Sequence, residues 1–356
     1  MDESTRSTLP MSLPKLEPLD ARMPPWTAKH LQERHCPLCE ATNAPALLRP
    51  DGLPLAYCSA CALWYLVATP SEKALGEYYR EGYWISTRPS SLNQDRANEM
   101  RQNAARFAPQ DIRLQRLNVI ARSLVGKRLL DVGCGLGYFM LQAQSLGAHV
   151  AGQDPAPEAV RFAQTCLHLN VCEDMLENCQ DHLGSFDVVV MSDVIEHPLR
   201  PLNLLHRSLN MLKPGGLLLL WTPNGGAAGA DPAVARDWVG FRVDLEHMQY
   251  FSPAAIIRLS NQCNLAVEHL ETLGFPDFAG IEQRPASSRR GRQGILTWRR
   301  RLAVSVMQIR TIANLRTTAG NLYQALAMAA LSSEKRATLD VRSGDYHLFS
   351  IMRKKT

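Results

Sequence analysis

What the 356-residue sequence does not contain narrows it first. No apolar run approaches the roughly 20 residues of a membrane-spanning helix, and the N-terminus carries no signal-peptide core, so a cytoplasmic protein is expected. Neither sign of charge dominates. A formal net charge of +5 does not by itself call for a nucleic-acid partner. No internal repeat appears, which removes solenoids and propellers. The nine cysteines are an odd number, and four of them fall in two C-x-x-C pairs. In a chain without an export signal, that pattern favours reduced thiols and a metal over disulfides. The length and a hydrophobic content of 46% suit one large globular domain with an appendage.

The organising stretch is Leu129-Leu130-Asp131-Val132-Gly133-Cys134-Gly135-Leu136-Gly137. An apolar run ending in an acid meets three alternating glycines, and a helical pattern follows from Tyr138 to Leu146. Strand, tight turn and helix are predicted. Glycines permit a turn that side chains would block and let a ligand approach the backbone. The helix N-terminus offers unpaired N–H groups and a positive dipole end to an anion. The next apolar stretch, from Ala148 to Gly152, ends in Gln153-Asp154. An acid about twenty residues beyond the first glycine is where a doubly wound fold places a ribose-binding carboxylate, whose oxygens only accept.

The spacing G-x-G-x-G after Asp131 departs from the dinucleotide fingerprint G-x-G-x-x-G, which argues against a dinucleotide oxidoreductase. It resembles the first motif, D-x-G-x-G-x-G, of the class I S-adenosylmethionine-dependent methyltransferases. Two later segments resemble the same family in the same order. One is Ser192-Asp193-Val194-Ile195-Glu196-His197 at the end of an apolar strand. The other is Leu212-Lys213-Pro214-Gly215-Gly216, then a strand from Leu217 to Trp221 and Thr222-Pro223-Asn224. The resemblance implies an α/β fold: a Rossmann-like, doubly wound, seven-stranded sheet whose last strand, in 345–352, is antiparallel. It implies S-adenosyl-L-methionine as cofactor. Asp131, Gly133, Gly135 and Gly137 would lie beside it and Asp154 would hold the ribose. Asp174 would meet the adenine amino group, with Glu173 as its alternative, and Met175 would pack on the ring. Ser192 and Asp193 would sit near the methionyl end.

Upstream, Cys36-Pro37-Leu38-Cys39 and Cys58-Ser59-Ala60-Cys61 stand about twenty residues apart, the spacing of a structural zinc ribbon. Four sulfurs would close the tetrahedron, and a module this small needs a metal as its core. Its charged groups, Glu33, Arg34, Glu40, Arg49 and Asp51, balance slightly acidic, which makes nucleic acid an unlikely partner. The aromatic run Glu77-Tyr78-Tyr79-Arg80-Glu81-Gly82-Tyr83-Trp84 resembles a segment after the zinc module in a subgroup that methylates deoxysugar nucleotides, where tyrosines line the substrate site. Tyr79 and Tyr83 are therefore candidate substrate contacts, or helix packing. Glu246-His247 resembles the acid–histidine pair of the sugar C-methyltransferases. There a tyrosine precedes the acid by two residues, and this chain has Asp244 instead. His247 is the leading candidate base, because an imidazole titrates near neutrality. His197 is a second candidate base or a structural histidine.

The expected division is a disordered tail over 1–30, a zinc-ribbon-like module over 31–68, an aromatic and helical connector over 69–125, and a methyltransferase domain over 126–274 plus 341–356. Residues 225–237 read as a loose loop. A basic helical insertion over 275–340 includes an arginine-rich 284–316 segment, read as a helical lid or dimer surface, or as a dock for an anionic or membrane surface. The oligomeric state is left open. The function so implied is S-adenosylmethionine-dependent methyl transfer to a small molecule, in particular a sugar or glycan precursor. Two alternatives stand beside it: an RNA methyltransferase gripping RNA with the ribbon, and a non-catalytic cofactor-binding assembly protein.

Overall fold

A computed structural model of the chain describes residues 13–18, 24, 26, 31–82, 92–183, 185–243, 245–274 and 346–356. Tyr83, Asp244 and the expected insertion, with its basic 284–316 segment, lie outside the described residues.

Thirteen strands are described in order: β1 (Leu31–Glu33), β2 (Leu47–Leu48), β3 (Pro54–Cys58), β4 (Leu63–Leu66), β5 (Ala68–Pro70), β6 (Arg128–Val132), β7 (His149–Asp154), β8 (Val171–Glu173), β9 (Phe186–Ser192), β10 (Leu212–Pro223), β11 (Gln249–Phe251), β12 (Leu265–Leu273) and β13 (His347–Lys354). Seven of them make one sheet in the order β12-β13-β10-β9-β6-β7-β8. The pairs among β10, β9, β6, β7 and β8 are parallel. Strand β13 is antiparallel to both of its neighbours. The Rossmann-like α/β expectation holds, antiparallel closing strand included.

The central strands are apolar without interruption because both faces are covered. Side chains alternate between faces. Leu130, Val132, Val189, Met191, Leu218 and Leu220 join one core, with Leu205 and Leu209 of helix Pro201–Met211 and Ile256 and Leu259 of helix Pro253–Gln262. Leu129, Val188, Val190, Leu217 and Leu219 face the other way, onto Leu114 and Leu117 of helix Ile112–Ile120 and Phe139 of helix Tyr138–Ser145. The chain runs outward from β6 through β7 to β8, then returns to β9 on the other side of β6. That reversal opens a crevice at the C-terminal ends of β6 and β9, where open α/β sheets receive ligands.

A second sheet has the order β11-β4-β3-β2. Its Cys58–Cys61 knuckle is the turn joining β3 to β4. Its fourth strand comes from the far side of the sequence: Gln249, Tyr250 and Phe251 pair with Tyr65, Trp64 and Leu63. The cysteine module is thus not a separate bead. All four residues of β4 are buried, and a buried strand needs ladder partners on both edges.

Three local expectations are revised. In the stretch expected to be a disordered tail, Lys15 bridges Leu48 and Leu16 is buried. The 225–237 loop is built rather than loose: a 3-10 turn spans Gly225–Ala228, a short helix spans Pro232–Ala235, and Trp64 Nε1 donates to the Gly229 carbonyl at 2.7 Å. The reduced-thiol expectation fails at one pair, since Cys172 and Cys179 form a disulfide. Cys172 in the middle of β8 and Cys179 in the helix Leu176–Leu183 bring those two sulfurs together.

Candidate functional site

The glycine turn sits where β6 leaves the sheet. Gly133, Gly135 and Gly137 have φ of +68°, +54° and +83°, left-handed values that suit residues without a Cβ. Two of them are also closely packed. A Cβ on Gly133 would lie 2.7 Å from Val194 Cγ2, and one on Gly137 would lie 2.4 Å from Leu169 Cδ1. The turn is tied to the next strand: Gly133 and Cys134 donate to the Gln153 carbonyl at 2.8 and 3.0 Å. Asp154, at the end of β7, receives Gly135 N–H on one oxygen at 2.8 Å and Ala156 N–H on the other at 2.9 Å. A carboxylate has about four acceptor positions, and these two bonds use one on each oxygen.

Asp131 is 3% exposed. Burial pushes its carboxyl up to about 7; Arg113 opposes this and Asp154 adds to it. Nothing in the sequence separates Arg113 from Arg96 and Arg101 of the preceding helix. Arg96 pairs with Glu99 on its own helix at 2.8 Å, and Arg101 crosses to the Cys166 carbonyl at 2.7 Å. Arg113 instead pairs with Asp111 at 2.6 Å and donates to Ser192 Oγ at 3.1 Å. Its guanidinium lies 4.8 Å from the Phe139 ring centre and 5.5 Å from that of Trp221. Asp174 is half-buried and accepts from Met175 N at 2.7 Å, while Met175 presents an exposed thioether side chain.

A second group gathers beyond β9. Asp193 adopts φ +54° and donates its N–H to the Trp221 carbonyl at 2.8 Å, turning the chain out of the sheet. Glu196 follows, fully buried, and accepts from Thr222 Oγ1 at 2.9 Å. His197 Nδ1 meets the Tyr79 hydroxyl at 2.7 Å. The His197 and His247 rings meet edge to face with centres 4.8 Å apart, and His247 Nε2 is 3.9 Å from Glu196 Oε1. His247 Nδ1 is buried without a hydrogen-bond partner among the described residues. Desolvation pushes His197 down to about 4, against the backbone groups of Glu246 and Asp193. Desolvation also takes His247 well below its ordinary value, and His197 and Arg49 add to that. Burial thus holds both imidazoles toward their neutral form, in which one ring nitrogen is a hydrogen-bond acceptor. Glu246 is half-buried beside them, with the backbone contact to His197 as its described link to the pair.

The third group is Cys36, Cys39, Cys58 and Cys61, whose sulfurs all lie within 4.8 Å of one another, with Cys39 and Cys58 at 3.6 Å. Tetrahedral zinc with bonds of about 2.3 Å sets neighbouring sulfurs about 3.8 Å apart. Without a cation, burial pushes the Cys36 thiol up to about 12, so a bound metal would be what holds it as thiolate.

A protein-family model described as a methyltransferase domain matches residues 92–270, half of the chain. The chain belongs to this family. Among proteins similar to it, a ubiquinone biosynthesis O-methyltransferase of Glaesserella parasuis is 35% identical over 123 residues, 32% of this chain and 52% of that protein. The protein of the same name from Shewanella halifaxensis is 29% identical over 167 residues, 43% and 70% of the two chains. The match thus spans about half the length of the first relative. A solved S-adenosylmethionine dependent methyltransferase from Mesorhizobium loti is similar at 16% identity and TM-score 0.40, over 67% of this chain and 96% of that one.

Within this methyltransferase domain, one crevice edge gathers Asp131, the three glycines, Asp154, Ser192 and Asp193, together with Arg113. The histidine group follows directly from that edge. The four cysteines form a cluster of their own, and Tyr79 is the described member of the aromatic run that touches the histidines.

Proposed function

We propose that this methyltransferase domain transfers a methyl group from S-adenosyl-L-methionine to a small-molecule hydroxyl. The observation that carries the reading is the pair of neighbouring histidines, with ring centres 4.8 Å apart and His247 buried beside Glu196, beyond the strand end that follows the glycine turn. The cofactor would supply an electrophilic methyl on a sulfonium. Asp154 and the turn N–H groups would hold its ribose side, Asp174 and Met175 its adenine, and Asp131 with Arg113 its charged methionyl end. Binding both reactants in line supplies most of the acceleration in such a transfer. His247 Nδ1 would take the acceptor proton as the new bond forms, and Glu196, facing Nε2 on the same ring, would stabilise the imidazolium. Cys36, Cys39, Cys58 and Cys61 would hold a structural Zn²⁺, with no open position for chemistry.

Oxygen as the methylated atom is supported by the relatives' name, O-methyltransferase. A sugar or glycan-precursor acceptor is a second reading, favoured by the Tyr79 hydroxyl bonded to His197 at 2.7 Å in the aromatic segment. Calorimetric titration with S-adenosylmethionine, S-adenosylhomocysteine and NAD, with zinc content read on the same sample, tests the class. Binding of the two sulfur cofactors but not NAD is expected. Binding of NAD alone would overturn the reading. Turnover on hydroxylated ubiquinone precursors against sugar nucleotides then separates the two acceptors.

A further inference from the structure

Arg49 lies in the turn between β2 and β3 of the cysteine module and is fully buried. All five of its N–H donors have acceptors. Two go to Asp51, from Nε at 3.2 Å and from Nη2 at 2.5 Å. The other three leave the module for one short stretch of the methyltransferase domain: the His247 carbonyl at 2.6 Å, the Leu245 carbonyl at 2.5 Å and the Tyr250 hydroxyl at 3.1 Å. Arg34, beside the first knuckle, grips the same stretch. It donates to the Met248 carbonyl at 3.0 Å, to the Gln249 side chain, and to the Leu199 carbonyl at 2.8 Å. From below, Met248 N–H donates to the Glu196 carbonyl at 2.8 Å, and Gln249 Nε2 holds the Ile195 and Pro198 carbonyls. The 245–249 backbone is therefore clamped between two module arginines and the chain that carries Glu196 and His197.

The metal-binding end of the module presses on the next helix. Ala60 and Ala62, around the second knuckle, accept from Arg258 and from Ser252 Oγ, and Leu38 of the first knuckle accepts from Gln262. Strand β4, which starts just after Cys61, pairs with β11, which starts two residues after His247.

We propose that Arg49, held by Asp51, is a positioning residue: it fixes the backbone of His247 so that the imidazole faces Glu196 and the acceptor. The cysteine cluster thereby orders the proton-accepting group from a distance while touching neither reactant. The inference rests on the reading of His247 as proton acceptor.

Arg49→Lys keeps the charge but cannot reach five acceptors. The double change Arg49→Met with Asp51→Asn removes the pair without leaving one charge buried alone. Four readouts go together: turnover, calorimetric affinity for S-adenosylhomocysteine, zinc content, and the imidazole NMR signals of His247. A misplacement of about 1 Å costs up to about a hundredfold in rate. The expected result is a fall in kcat of about tenfold for Arg49→Lys and nearer a hundredfold for the double variant. Acceptor KM, cofactor affinity and zinc content should stay within about twofold, while His247 signals move and those of the remote His149 and His168 do not. Unmoved His247 signals in folded Arg49→Lys would overturn the proposal. So would a loss of kcat that runs in step with lost cofactor affinity, because that is general unfolding. His247→Gln separates the two readings. Full activity there sinks the proton-acceptor reading, whereas the NMR arm still reads whether Arg49 sets the loop.

Discussion

If Asp131 lies at the charged end of the cofactor, as proposed, its protonation should make cofactor binding pH-dependent in a defined window. An unfolded aspartate releases its proton near pH 4, and folded Asp131 keeps its own until about 7, chiefly through burial. Between those values the ligand-free folded chain holds the extra proton. The sign follows: stability of the ligand-free protein falls as pH rises from about 4 to about 7 and is flat above, by on the order of 4 kcal/mol in total. A cofactor bringing a cationic methionyl end beside this carboxyl favours its ionised form, so binding below about pH 7 should release up to one proton. If only ionised Asp131 binds, affinity at about pH 5.5 is roughly 25-fold weaker than at about pH 7.5. Calorimetry with S-adenosylmethionine in two buffers of different ionisation enthalpy counts the proton directly. Asp131→Asn should bind weakly, with no pH slope in that window, and should be more stable than the parent near pH 8 when ligand-free. Equal affinity at both pH values in the parent, with no buffer dependence, would refute the placement of Asp131 at the charged end.

The remaining expectations are shorter. His247→Gln should lower kcat by about a hundredfold or more while cofactor affinity holds, the range for a lost general base, measured by turnover and calorimetry on one preparation. Asp154→Ala removes the acceptor of Gly135 N–H and the proposed ribose partner together. Cofactor affinity should drop at least about tenfold, and unchanged binding would remove the assignment. If the cluster holds zinc as proposed, Cys58→Ser should release it and lower the melting temperature of the whole domain in a single transition, because β4 pairs with β11. A separate early transition for the module would contradict that coupling.

What was legible in the sequence had a local cause. The turn after β6 announces itself because left-handed backbone and close packing both demand glycine at the positions it occupies. The sheet strands announce themselves because burial on both faces demands unbroken apolar runs. What was not legible depends on which distant segment a residue meets. Arg34 and Arg49 enter the sequence reading only as part of the module's charge balance, yet both are turned inward onto the 245–250 stretch, and nothing within three or four residues of either marks it. Arg113 looks like its helix neighbours until the fold brings Ser192, Phe139 and Trp221 to it. The three residues of β11 are too few to carry a period, and the disulfide partners lie among ordinary strand and helix residues.

That difference bears on how the cysteine module is used. Read along the chain, it is an appendage that ends near residue 68. In the fold, the strand completing its sheet begins two residues after His247, and two of its cations bond the backbone around that histidine. The burial of Arg49 costs desolvation, which Asp51 chiefly offsets, while two backbone carbonyls and the Tyr250 hydroxyl take the remaining donors. Those two carbonyls belong to Leu245 and His247, residues whose backbone has no other described tether to the module. An arrangement serving stability alone could have closed this junction with apolar contacts, at no loss and often at a gain. A guanidinium fork with fixed geometry instead specifies one backbone path, and that path carries the imidazole proposed to accept the proton.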